Sequence, residues 1–73
     1  IKAEVIELQA GNHSKITKKS LNKLRLPDGG VLGGVLHDGK VEIATGITQI
    51  DTGDRVMVFC LPEAVDKISQ LFQ

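Results

Sequence analysis

Tryptophan and tyrosine are absent from this sequence, and Phe59 and Phe72 are its only aromatic side chains. Stacking on exposed bases is therefore poorly served. Nine Lys and Arg residues are cancelled by nine Asp and Glu residues, so the chain lacks the overall positive field on which nucleic-acid binding rests. One cysteine excludes an internal disulfide, and a single cysteine with two scattered histidines falls short of the three or four ligands of a zinc site. No charged-then-apolar leader is present, and no stretch approaches the roughly 20 apolar residues that span a bilayer. The expectation is a soluble protein. Cys60 lies inside an apolar run, where a thiol behaves as a small hydrophobe suited to a reducing compartment, so a cytoplasmic location is expected.

Seventy-three residues allow one domain, and a chain of this size buries only about 60% of the surface its unfolded form exposes. Without disulfide or metal to reinforce so small a core, association of two copies is the expected remedy.

The last third is the most informative stretch. Thr52-Gly53-Asp54 marks a turn, and in Arg55 to Leu61 both alternating sets, Val56, Val58, Cys60 and Met57, Phe59, Leu61, are apolar. This pattern predicts a central strand covered on both faces. Pro62 suits the first position of a helix and Glu63 complements its dipole, while Ala64, Val65, Ile68, Leu71 and Phe72 share one face.

Upstream, Ala3, Val5, Ile6 and Leu8 alternate with polar residues but slip phase between Val5 and Ile6, predicting a strand with a bulge or twist there. Gly11-Asn12-His13-Ser14 ends it. Thr17 is placed as an N-cap, with Ile16 at staple spacing from Leu21, opening a short helix that carries Leu21 and Leu24 and stops before Leu26-Pro27. Asp28-Gly29-Gly30 is a turn, and Val31 to Leu36 is a strand interrupted by Gly33-Gly34. His37-Asp38-Gly39-Lys40 supplies an Asp-Gly hairpin turn into Val41-Glu42-Ile43. Thr45-Gly46 and Thr52-Gly53 bound a connection punctuated by Ile47 and Ile50. The resulting β-α-β-β-β-α order describes an α+β fold, a small mixed or antiparallel sheet with a short helix after its first strand and a C-terminal helix.

Catalytic chemistry is not indicated. Cys60 paired with His13 or His37 would be a nucleophile and base, but a thiol in mid-strand is ordinarily inert packing. Asp28, Asp38, Asp51 and Asp54 would suit weak calcium binding between subunits, against which stands their ordinary role of bonding backbone amides in turns. The paired glycines lack the spacing of a phosphate loop, and within a strand they mark a bulge or a close approach by a ligand or subunit. His37, which titrates near neutral pH and bonds anions, is the side chain singled out at the hairpin. Lys15, Lys18, Lys19, Lys23 and Arg25 lie on one basic stretch, of which Lys18, Lys19 and Lys23 are read as a solvated helix face, with acidic partners as the functional alternative.

At Leu26-Pro27-Asp28-Gly29, Val35-Leu36-His37-Asp38-Gly39, Gly53-Asp54-Arg55-Val56-Met57-Val58-Phe59 and Leu71-Phe72-Gln73, the order of motifs resembles the TrkA C-terminal domain (RCK_C), the second lobe of modules that regulate potassium conductance. The likeness extends over nearly the whole chain and is strongest from Leu26 onward. It implies a single regulatory domain, 1–73, excised from a longer protein and serving a bacterial potassium uptake system. Such domains form homodimers through sheets and helices, and they pass ligand occupancy to a membrane subunit. The resemblance therefore implies a non-enzymatic role, a cytoplasmic protein held peripherally at the membrane through the transporter, and a small-molecule or ion effector.

The dinucleotide fingerprint of the family's Rossmann half is missing here, so NAD and ATP are not expected to bind, and no cofactor is expected. Related lobes bind cyclic di-AMP or calcium at the dimer interface, but His37 stands where the family often has arginine and Pro27 near where cyclic di-AMP binders tend to carry one, so that ligand is not expected. Gly33, Gly34, Val35, His37, Met57 and Phe59 are the residues expected at the ligand or dimer contact. The alternative function is an oxyanion-binding accessory domain like those of molybdate transport proteins, which also place a Gly-Asp turn before an apolar strand.

Overall fold

The computed structural model of the chain describes residues 2–73. Four strands form one antiparallel sheet: β1 (Glu4–Gln9), β2 (Gly30–His37), β3 (Lys40–Ile43) and β4 (Arg55–Cys60), in the order β1-β4-β2-β3. The closing helix α1 (Val65–Leu71) follows a 3-10 turn at Pro62–Ala64. The α+β architecture expected from the sequence is the one observed.

The doubly apolar strand β4 takes an interior position between β1 and β2. Val56, Val58 and Cys60 point into the core, packed with Ile16, Leu21, Val35, Ile50, Ile68 and Phe72. Fully burying an aliphatic side chain of this size contributes about 1.5–3 kcal/mol, and this layer is what holds the sheet to α1 and the loops. Only one face is covered, however. Met57 and Phe59 remain 46% and 47% exposed, which corrects the expectation of a strand enclosed on both sides: the chain has enough helix and loop to cover one face of its sheet.

Two further expectations are corrected. β1 pairs with β4 in unbroken register from Glu4–Cys60 to Gln9–Arg55, so no bulge interrupts it. Its phase slip has another cause: Ile6 and Leu8 are the half-buried set, whereas Val5 belongs to the exposed face. The irregularity lies in β2, between Leu32 and Gly34. In place of the helix expected after Thr17, two 3-10 turns occur, Lys15–Thr17 and Leu21–Lys23. Thr17 is not an N-cap; its hydroxyl donates to the carbonyl of Ser14 at 2.7 Å. The main chain here is held from outside, Leu21 and Asn22 N–H donating to the carbonyls of Thr48 and Gly46, so tertiary bonds replace the local ladder of a helix.

The hairpin joining β2 to β3 follows its sequence signature. Asp38 and Gly39 have φ values of 47° and 80°, positive at both central positions as a type I′ turn demands. At the other end, Gly11 N–H donates to Phe72 O at 2.7 Å. A β-carbon on Gly11 would stand 3.0 Å from that oxygen. Among the described residues no helix is long and apolar enough to cross a membrane.

Candidate functional site

The uncovered face of the sheet is the principal candidate. Cross-strand partners in an antiparallel sheet share a face, and the register aligns Val5, Phe59 and Val31 in one row, Glu7, Met57, Gly34 and Ile43 in the next, and Gln9, Arg55, Leu36 and Val41 in a third. Val5, Val31, Leu36, Val41, Ile43, Met57 and Phe59 are all exposed large apolar side chains. Together they make one continuous oily surface reaching all four strands, with a hollow of about 390 Å³ over its centre. At the rim Arg55 Nη1 donates to Glu7 Oε1 at 2.8 Å, an exposed pair that adds little stability.

Gly33 shapes this surface. It is the extra residue of the β2 irregularity, and the Phe59 ring lies so close that a β-carbon on Gly33 would come within 2.7 Å of Phe59 Cε2. Any larger residue would push the ring off the sheet.

Of the residues expected at the contact, Gly33, Gly34, Met57 and Phe59 border the hollow. Val35 borders it too, but its side chain is buried in the core on the opposite side. His37 stands apart at the end of β2. Val5, Val31, Leu36, Val41 and Ile43 were not singled out from the sequence, although the slipped phase of β1 and the alternation in Val41-Glu42-Ile43 both carried the signal.

His37 is engaged with the start of β4. Its Nδ1 pairs with Asp54 Oδ1, while Asp54, only 4% exposed, accepts the Asp51 N–H on Oδ2 at 2.9 Å. The hydrogen bond to Asp54 and then that carboxylate's charge hold the His37 imidazolium above the ordinary histidine range; Asp38 and Asp51 add to this and partial desolvation opposes it. Asp38 Oδ2 lies 3.5 Å from Nε2. Ligand-type atoms of His37, Asp51 and Asp54 fall within 4.8 Å of one another. Both Asp54 oxygens are nevertheless taken, one by His37 and one by an amide, so this cluster is a hydrogen-bonded tie between the hairpin and β4. Cys60 is a free, buried thiol, remote in register from His37, since its β2 partner is Gly30.

The fold thus defines a small α+β lobe with one bare apolar sheet face. The sequence profile of the TrkA-C domain matches residues 5–73, and the chain belongs to that family. It is 43% identical over 72 residues to the Trk system potassium uptake protein TrkA homolog 2 of Methanosarcina mazei, covering 99% of this chain and 16% of that protein. It is 35% identical over 71 residues to the Trk system potassium uptake protein TrkA homolog of Archaeoglobus fulgidus, covering 97% of this chain and 16% of that protein. The chain thus spans 16% of the length of these relatives. Among solved structures, one described as "Structure of RCK domain with cda" superposes with a TM-score of 0.83 over 94% of this chain and 97% of the other, at 23% identity. That similarity is one of fold.

Proposed function

We propose that this chain is a non-catalytic regulatory lobe of a potassium uptake system, which pairs with a second copy through the open face of its sheet and passes the state of that pair to a membrane subunit. The observation that carries the reading is the uncovered apolar face centred on Met57 and Phe59. Continuous exposed apolar surface of this kind marks an interaction site, and a self-complementary face satisfies the twofold symmetry of most homodimers. Membership of the TrkA-C family, with curated relatives named as potassium uptake proteins, supplies the system. An effector acts by binding one arrangement of the pair more tightly than another, and the difference is the free energy available for gating.

In this reading the lobe works in the cytoplasm, at the membrane only through its transporter, and NAD or ATP would bind a separate nucleotide lobe. Cyclic di-AMP is disfavoured as effector, since Pro27 carries no charge and His37 is already committed to Asp54.

Sedimentation equilibrium tests the pairing. The chain is expected to sediment as a dimer and Phe59→Glu as a folded monomer, because a carboxylate at the centre of the face would be buried without a partner. A wild-type chain that stays monomeric at high concentration refutes the reading.

A further inference from the structure

The basic stretch of the sequence is gathered by the fold around a second surface feature, a groove of about 350 Å³. The two 3-10 turns, the segment after them and the end of α1 build it. Lys15, Lys18, Lys19 and Arg25 stand on its rim, over an apolar floor that includes Leu24, Leu26 and Leu71. All four cationic residues are exposed and the three leucines half-buried. No acidic residue lines the groove, and among the described residues none of the four cations lies within an ion-pair distance of a carboxylate. On a chain with no net charge, this is a concentrated positive pole around a greasy recess. It shares no lining residue with the hollow on the sheet.

We propose that the groove seats an acidic segment of a partner protein, its aliphatic side chains on the leucine floor and its carboxylates on the lysine and arginine rim. Charge complementarity of this kind sets partner choice and association rate, and the recessed floor supplies the burial that a rim of ion pairs alone does not. The shape selects among anionic partners. A bilayer surface is gripped by apolar side chains that protrude beside the charges; here the apolar groups are sunk below them, and the large exposed hydrophobics lie elsewhere. Nucleic acid is disfavoured by the lack of any aromatic side chain in the lining.

The test is selection of displayed random peptides on this chain, followed by fluorescence anisotropy of the enriched sequences. Enriched peptides are expected to combine Asp or Glu clusters with Leu or Ile, to bind less tightly as salt rises, and to lose about tenfold or more in affinity for K18E/K19E. That variant is expected to keep the fold, by circular dichroism, and the sedimentation behaviour of the wild type, because both lysines are exposed and outside the sheet face. Loss of peptide binding with the dimer intact therefore separates this surface from the pairing face. Absence of enrichment, enriched peptides without acidic residues, or affinity unchanged in K18E/K19E overturns the proposal. So does tighter binding to phosphatidylglycerol vesicles than to any enriched peptide, which would make the groove a lipid surface.

Discussion

Asp54 is held from several sides at once: it is buried, paired with His37, accepts the Asp51 amide and is bonded through its main chain to Ala10 and Asp51. Asp54→Ala strands the Asp51 N–H and is expected to cost about 1–3 kcal/mol in urea unfolding. His37 makes the tie pH-dependent. Its folded pKa is raised, so its stabilisation is complete below the unfolded value of about 6.5 and disappears as pH rises through the folded value. The urea midpoint of the wild type should therefore fall more steeply than that of His37→Gln as pH rises above about 6.5, and parallel curves would show that the tie contributes nothing. Ser14 is the reverse case. Its hydroxyl is buried with no partner among the described residues, so Ser14→Ala is expected to be neutral or stabilising by up to about 1 kcal/mol.

At the scale of elements, the glycines of β2 differ in what they protect. A β-carbon on Gly30 would stand 2.1 Å from Ile68 Cδ1, the buried anchor of α1. Gly30→Ala is expected to cost about 1–3 kcal/mol by overpacking, measured by thermal or urea unfolding. Gly33→Ala displaces a half-exposed ring instead, and should weaken dimerisation more than folding. The elements themselves were largely legible in the sequence: the Asp38-Gly39 turn, the strand from Arg55 and the helix after Pro62 each rest on local patterns that tertiary contacts left intact. The segment from Thr17 to Leu24 was not. Its turns bond locally, but the amides of Leu21 and Asn22 are satisfied by Thr48 and Gly46, partners far along the chain that no local pattern announces. The candidate contact was legible in part, since glycines and central-strand residues stand out in a sequence, whereas Val5, Val31 and Ile43 acquire their meaning only from register across the sheet.

For the whole molecule, the sheet has one face packed on the core and one bare face, and in the proposed pairing a second copy covers the bare one. Ile68→Ala, on the covered side, is expected to destabilise by about 2–5 kcal/mol in urea unfolding. Met57→Asp, on the bare side, should leave the monomer's secondary structure intact by circular dichroism while shifting sedimentation toward the monomer.

The bond from Gly11 N–H to Phe72 O bears on how tension would travel. The C-terminal end of α1 is tied by it to Gly11, beside Ala10, whose amide is bonded to the carbonyl of Asp54 at the head of β4 and whose carbonyl receives the Gly53 N–H. Both ends of β4 are therefore connected to α1, one across these bonds and the other along the chain through Leu61. A tug at one end of this lobe is thereby delivered to the strand that presents Met57 and Phe59.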